Sequence, residues 1–233
     1  DGRLLAAAQG ALHLISDPLA GAQVLATHTG LPADLHDVQV WDADGTAHVV
    51  AIAATTDKGA HLSLLHVDEA SFRVVQGTLP LDEAIVSCAL EQHGSLAVLT
   101  RRHVLHTVSW RVTDDRLVLD EPHAVPLRPL EEARLVYVSP SHLLMVVAVP
   151  GDAERARASA LLWDTDLDAV LAVTEWSAQG APQISTTRAM DGYVFVQLDP
   201  KASRAGKCTV AALPVSVPAT GLLLHALGAS SRT

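Results

Sequence analysis

Four carboxylates have the spacing of a calcium-binding loop. Asp164, Asp166, Asp168 and Glu175 occupy the first, third, fifth and twelfth places of such a loop, where side-chain oxygens surround one ion. The same residues also follow an apolar run that ends in Trp163, as the turn after a β-strand does. The chain therefore offers either a calcium-dependent module at 164–175 or an acidic hairpin turn.

The residues around these carboxylates favour the turn. The sixth place of a calcium loop bends sharply and favours glycine, whereas this chain has Ala169 there. A helix must follow the loop, but Gly180 and Pro182 come too soon after Glu175 to leave room for one. We expect the first two carboxylates to accept hydrogen bonds from turn amides instead.

The histidines do not form pairs that could hold a metal ion. His103 and His106 lie three residues apart in an expected strand, so their side chains point to opposite faces. His61 and His66 fail the same test, and no cysteine joins any pair at ligand spacing. We predict no metal site and no cofactor.

No motif for covalent catalysis or phosphate binding is present. Gly94-Ser95 lacks the second glycine of a nucleophile elbow, and no glycine-rich phosphate loop occurs. Acidic pairs such as Asp82/Glu83 are adjacent in sequence, so their side chains diverge into solvent. We predict no catalytic residue and a protein that is not an enzyme.

Composition limits the class of partner. Among 233 residues, 26 are acidic and 16 basic, giving a net charge of −10 that disfavours direct nucleic-acid binding. The longest apolar run, Leu143 to Val149, is much shorter than a membrane-spanning helix. Cys88 and Cys208 are expected to be buried reduced thiols. The chain starts at Asp1 without a secretory signal, so we expect a fragment of a longer intracellular protein.

Short apolar runs punctuated by Gly and Pro predict an all-β fold. Two stretches have some helical character: "DAERARASALL" from Asp152 and "ATGLLLHALG" near the C-terminus. The strands recur with a regular spacing. "LPLDEAIVSCAL" from Leu79 resembles "RPLEEARLVYVS" from Arg128, and a strand, an acidic turn and a strand precede each copy. A repeat of about 45 to 50 residues with four strands has the length of one propeller blade.

This spacing divides the chain into blades of four antiparallel strands. Residues 1–217 are predicted to form an incomplete β-propeller in which about five blades of an expected seven are visible. The first blade lacks its inner strand, the last lacks its outer strand, and 218–233 form an exit segment or linker. The predicted blades are 1–33, 34–81, 82–130, 131–177 and 178–217.

These repeats resemble the WD40-like β-propeller superfamily. Trp163-Asp164 matches the Trp-Asp dipeptide at the end of a strand, whereas Trp41-Asp42 falls in an expected inner strand. No Gly-His dipeptide occurs, so the superfamily's buried polar network cannot be assigned to residues here. We expect Trp163 and Trp110 to be structural, with the Trp163 indole N–H hydrogen-bonded.

The C-terminal stretch "LPVSVPATGLLLHALGASS" is similar to the chain that leaves the propellers of scaffold subunits in the small-subunit processome. This resemblance implies a nuclear or nucleolar protein that takes part in ribosome biogenesis and pre-rRNA processing. The predicted function is a non-enzymatic scaffold that binds other protein subunits of a large intracellular complex. The alternatives are a propeller enzyme with its active site in the central funnel and the calcium-binding module.

Overall fold

The chain folds into β-strands joined by short turns, as a computed structural model shows. It describes residues 4–8, 10–17, 19, 21–32, 34–42, 48–56, 59–67, 71–92, 94–114, 116–128, 132–149, 155–179, 182–190, 193–200, 209–216 and 223–224.

Within the described residues, consecutive antiparallel strands form five sheets, numbered here in chain order. Sheet 1 contains β1 (Leu4–Ala8), β2 (Ala11–Ile15) and β3 (Val24–Thr29). Sheet 2 contains β4 (Asp34–Asp42), β5 (His48–Thr56), β6 (Gly59–Val67) and β7 (Phe72–Pro80). Sheet 3 contains β8 (Ile85–Glu91), β9 (Ser95–Thr100), β10 (Val104–Thr113), β11 (Arg116–Leu119) and β12 (His123–Pro126). Sheet 4 contains β13 (Glu132–Ser139), β14 (His142–Val149), β15 (Arg155–Asp164) and β16 (Ala169–Gln179). Sheet 5 contains β17 (Pro182–Met190), β18 (Tyr193–Pro200), β19 (Thr209–Ser216) and β20 (Leu223–Leu224).

Sheet 3 differs from its neighbours because its outer strand is split. β11 pairs with the second half of β10, and β12 pairs with the first half. Pro122 lies between the two pieces and has no N–H to continue the ladder. Together, the two short strands occupy the position of a single outer strand in this sheet.

The sheets stack face to face. Apolar cores fill the spaces between sheets 1 and 2, between sheets 2 and 3, and between sheets 3 and 4. The core between sheets 2 and 3 pairs small alanines of sheet 2 with larger residues of sheet 3. Buried alanines allow the sheets to approach closely, which explains how a chain with 3% aromatic residues fills its core. Members of that core are Ala51, Ala53, Leu62, Leu64, Cys88, Leu90, Leu96 and Val98.

Strands in this stack are apolar on both faces because both faces are covered. In β5, Val50 and Ile52 pack toward sheet 1, while Ala51 and Ala53 pack toward sheet 3. A strand buried on two sides has a continuous apolar sequence rather than an alternating one. The all-β prediction is confirmed, and Leu, Val and Ala supply most of the buried packing.

Hydrogen bonds from side chains join the innermost strands of neighbouring sheets. The Leu90 N–H of β8 donates to Asp37 Oδ2 of β4 at 2.8 Å. One sheet further on, the Leu135 N–H of β13 donates to Ser87 Oγ of β8 at 3.1 Å. Asp37 and Ser87 hold equivalent positions, each one residue beyond a register shift in its strand. The stack is therefore tied at its centre by polar contacts as well as by its apolar cores.

Three strands of sheet 1 are described, one fewer than in sheets 2 and 4. β4, which follows this sheet in the chain, has an exposed apolar face: Val38 and Val40 are 44% and 54% exposed. The equivalent residues of β8, Cys88 and Leu90, are buried against sheet 2.

Several sequence expectations are corrected by the structure. The stretch with helical character ran from Asp152 to Leu162, and its described residues, from Arg155 onward, belong to strand β15, which pairs with β14 on one side and β16 on the other. β3 and β12 were not anticipated. Sheet 5 has an outer strand after all, since Leu223–Leu224 of the expected exit segment pair with β19. The remainder of that segment lies outside the described residues.

Among the described residues, no helix has the length and apolar character needed to cross a bilayer.

Candidate protein-interaction surface

The turn between β15 and β16 is held by the first carboxylate of the motif. Asp164 Oδ1 accepts hydrogen bonds from the Asp166 N–H at 2.9 Å and the Leu167 N–H at 3.0 Å. Thr165 donates to the Ser141 carbonyl through its N–H at 2.9 Å and its hydroxyl at 3.1 Å. Asp164 thus accepts bonds from turn amides as the sequence predicted, whereas Asp166, for which the same was predicted, takes part through its N–H as a donor. Thr165 connects this turn to the β13–β14 turn.

The remaining carboxylates of the motif point to other partners. Asp168 has a positive φ of 51°, and its Oδ2 lies 2.7 Å from His123 Nε2 of sheet 3. Glu175 lies on β16, where a calcium loop would require a helix. Among the described side chains, no group of three or more His, Cys, Asp and Glu residues has a metal-binding arrangement. The carboxylates therefore lie apart: Asp164 holds the turn, Asp168 contacts His123 of sheet 3, and Glu175 lies on strand β16.

A Ser–His–Asp contact next to this turn was not found by sequence reasoning. Ser139 Oγ lies 2.6 Å from His142 Nδ1, and His142 Nε2 lies 3.7 Å from Asp164 Oδ2. Only the pairing of His142 with Asp164 across β14 and β15 brings the three together. The imidazole–carboxylate distance exceeds that of a hydrogen bond, and the other oxygen of Asp164 already holds the turn. The contact links two turns of one sheet.

A buried tyrosine lies close to the same turn. Burial is the main cause that raises the pKa of Tyr137, and the nearby carboxylates of Glu91 and Asp166 raise it further. Tyr137 packs in the core between sheets 3 and 4. Its phenol therefore remains protonated at neutral pH and acts as a structural side chain.

The histidine pairs considered for metal binding are separated in the structure. His103 lies in the β9–β10 turn with a φ of 61°, whereas His106 lies on β10. Burial lowers the pKa of His106, and the Glu83 carboxylate opposes this effect. His61 Nδ1 lies 3.2 Å from Thr78 Oγ1, a contact within sheet 2. Burial lowers the pKa of His61 as well.

Both tryptophans expected to be structural contact apolar cores. Trp163 is buried between sheets 3 and 4, with Leu161 on the same side and Leu162 buried on the other. The expected hydrogen bond of its indole is not formed: Trp163 Nε1 is buried and has no partner among the described residues. The indole is held by packing alone. Trp110 packs against the core between sheets 2 and 3 while remaining partly exposed.

A group of exposed aliphatic residues lies in this turn and in the strand that follows it. Leu167, Val170, Leu171 and Val173 are between 42% and 69% exposed. Val170 pairs with Trp163 and Val173 with Leu161, so both extend the apolar face that packs on sheet 3. We call these four residues the β16 patch. Exposed aliphatic side chains clustered on a rigid strand characterise interaction sites.

Acidic residues surround the β16 patch. Asp166 and Asp168 flank Leu167 and are exposed, and Glu175 is exposed two residues after Val173. Residues 164–179 contain four carboxylates and no Lys or Arg. The surface around the patch therefore combines apolar area with negative charge.

No family model and no curated protein matches the sequence. Solved structures do resemble this one. The β-propeller domain of Myceliophteria thermophila Cps50 (Swd1) superposes with a TM-score of 0.56 at 14% identity, covering 96% of this chain and 67% of that one. The WD40 domain of SCAP from fission yeast superposes with a TM-score of 0.50 at 10% identity, covering 91% and 50%. A bifunctional GH43-CE protein of Bacteroides eggerthii superposes less well, with a TM-score of 0.44 at 7% identity, covering 97% and 34%.

These likenesses identify the fold. The five stacked antiparallel sheets form part of a β-propeller, and each sheet is one blade. The chain spans about two thirds of the first of these structures and half of the second.

Proposed function

We propose that this protein is a non-enzymatic scaffold whose propeller binds other proteins within a multi-subunit assembly. The observation that carries the proposal is the β16 patch, an exposed aliphatic surface on a strand that the rest of sheet 4 holds rigid. A rigid surface of this kind can bind a partner with little loss of conformational entropy.

The scaffold proposal is tested by affinity capture of the full-length protein from extracts of its own cells at physiological salt, followed by mass spectrometry. We expect stoichiometric partner proteins that remain bound through size-exclusion chromatography. Recovery of the bait alone, at the size of one chain in both extract and eluate, would contradict the proposal.

A finer proposal concerns the assembly. The similarity of the C-terminal stretch to the exit of processome scaffold propellers supports a nucleolar role in ribosome biogenesis. This role predicts nucleolar proteins and U3 RNA in the eluate. Stoichiometric partners without either would overturn the ribosome-biogenesis role and leave the general scaffold proposal in place.

A further inference from the structure

We propose that β16 is a docking edge for an extended segment of a partner protein, which adds to sheet 4 as a further strand and carries alternating apolar and basic side chains. The proposal rests on the scaffold function above and specifies the chemistry of one partner. Three features of β16 support it: its unpaired edge, its exposed apolar residues and its acidic surroundings.

The first feature is the free edge of the strand. β16 is the last strand in sheet 4, and no described strand pairs with its outer side. At 11 residues it is the longest strand in the described structure. An unpaired edge presents backbone N–H and C=O groups that can form a ladder with an added strand.

The second feature is the absence of the usual protection against such pairing. Edge strands in soluble proteins are commonly short or carry Lys or Pro. β11 and β12 have four residues each, and β7 contains Arg73 and ends at Pro80. β3 exposes apolar residues but has only six residues. β16 is long, lacks Lys and Pro, and exposes Val170, Leu171 and Val173.

A register shift increases the exposure at the centre of the edge. Ala172 pairs with Leu162 and Val170 with Trp163, which leaves Leu171 without a partner on β15. A bulge of this kind bends the strand and redirects its side chains. Leu171 thereby joins Val170 and Val173 at the surface that an added strand would cover.

The third feature selects the charge of the partner. Asp166 and Glu175 lie at the two ends of the β16 patch. Lys or Arg side chains of an added segment would pair with them, whereas an acidic segment would be repelled by these carboxylates. A segment with both apolar and basic side chains could pack on the β16 patch and also pair with the acidic residues at its ends.

The test uses the full chain and a fluorescent peptide of alternating Lys and Val, about nine residues long, which matches the length of an added strand. Three comparison peptides separate the contributions. One replaces Lys by Glu, one replaces Val by Ser, and one carries N-methyl groups on consecutive amides, so that neither of its edges can donate hydrogen bonds to a ladder. We expect the Lys–Val peptide to bind at least about tenfold more tightly than each of the others, the factor that one buried valine supplies.

The matched variants locate the site. Leu171→Lys with Val173→Lys should weaken binding of the Lys–Val peptide at least about tenfold. Val24→Lys with Val112→Lys adds the same two charges at exposed apolar positions of sheets 1 and 3 and should leave binding unchanged. Circular dichroism and thermal unfolding confirm that both variants are folded. Equal binding by the two variants, or undiminished binding of the N-methylated peptide, would overturn the proposal.

Two further experiments test whether a different segment occupies the edge: a second copy of this chain, or the chain's own C-terminus. Sedimentation that shows a wild-type dimer and a monomeric Leu171→Lys/Val173→Lys variant would assign the edge to a second copy of this chain and overturn the partner proposal. Peptide binding that appears only after removal of residues 225–233 would assign it to the chain's own C-terminus, with the same consequence.

The failure of this inference is distinguishable from failure of the scaffold function. Capture of the same partners by wild-type and Leu171→Lys/Val173→Lys baits would refute the β16 assignment and leave the scaffold proposal standing. A wild-type bait that captures no partner would refute the scaffold function itself.

Discussion

Trp163 and Asp164 are neighbours in the chain but stabilise the protein in different ways. Trp163 fills the core between sheets 3 and 4, whereas Asp164 accepts two amide hydrogen bonds in an exposed turn. A buried indole loses both apolar contacts and packing when it is truncated. A carboxylate oxygen in a turn can be replaced by an amide oxygen that accepts the same bonds.

Trp163→Ala is therefore expected to lower the free energy of unfolding by about 3–5 kcal/mol. Asp164→Asn should lower it by less than about 1 kcal/mol, because the amide oxygen still accepts from the turn N–H groups. Urea unfolding with and without millimolar calcium measures both. A calcium-dependent loss of stability in the Asp164→Asn variant would restore the calcium-loop interpretation.

Cys88 provides a pH-dependent test of the core between sheets 2 and 3. Burial, with a smaller effect of the Asp37 carboxylate, raises the pKa of the Cys88 thiol from 9.0 to about 12. Between these values the unfolded chain loses the proton and the folded chain retains it. The free energy of unfolding contributed by Cys88 is thus complete below pH 9 and declines as the pH rises toward 12.

We expect iodoacetamide to label Cys88 in the native protein at pH 8 far more slowly than in urea, because the thiolate is the reactive species. Peptide mapping by mass spectrometry reports Cys88 separately from Cys208. Equal labelling rates in the native and unfolded protein would show that this core is open to solvent.

At the scale of elements, β6 and β7 meet at a point that only glycine permits. Gly59 has a φ of 123°, and a Cβ at this position would lie 2.1 Å from the Leu79 carbonyl oxygen. Backbone atoms of β7 cannot move aside without breaking the pairing of Gly59 with Pro80. Gly21 has a similar φ of 101° but open space around it.

Gly59→Ala is expected to lower the free energy of unfolding by about 2 kcal/mol more than Gly21→Ala does, since both pay the conformational cost and only the first also clashes. Thermal or chemical unfolding of the two variants measures the difference. Equal losses would mean that β6 and β7 separate at this end without cost.

Strand β15 illustrates a limit of sequence propensity. Residues 155–161 include Arg and Ala, which favour helix in isolation. In the folded chain, the segment lies between β14 and β16 and forms backbone hydrogen bonds with both. The ladders on two sides outweigh a local preference of a few tenths of a kcal/mol per residue.

At the scale of the whole molecule, the exposure of an inner strand differs from blade to blade. Leu90 of β8 is buried against sheet 2, whereas the equivalent Val40 of β4 is 54% exposed. The consequence of a substitution at this position therefore depends on which blade contains it.

Leu90→Ala should lower the free energy of unfolding by about 2–5 kcal/mol, as core truncations do. Val40→Ala in the same 233-residue chain should cost less than about 1 kcal/mol, because its side chain is half exposed. Denaturant unfolding of the two variants compares them directly. A loss above about 2 kcal/mol for Val40→Ala would show that other residues cover this side chain.

The architecture was predictable because it depends on local information repeated along the chain. The repeated "PLDEA" and "PLEEA" segments and the alternation of strand and turn predicted an all-β propeller of four-stranded blades. The fold was confirmed, since apolar runs of strand length can be buried only by stacking sheets. Residues 164–168 likewise form a turn, because Asp164 caps its own backbone.

The tertiary structure decided which surface residues matter. The sequence directed attention to the carboxylates near Trp163, but Val170, Leu171 and Val173 resemble any buried strand until β16 is placed at the edge of its sheet. The Ser139–His142–Asp164 contact and the His123–Asp168 pair depend on strand register and on the stacking of separate sheets. A sequence specifies the faces of a strand through its alternation, whereas exposure depends on which neighbours cover those faces, and only the folded chain determines those neighbours.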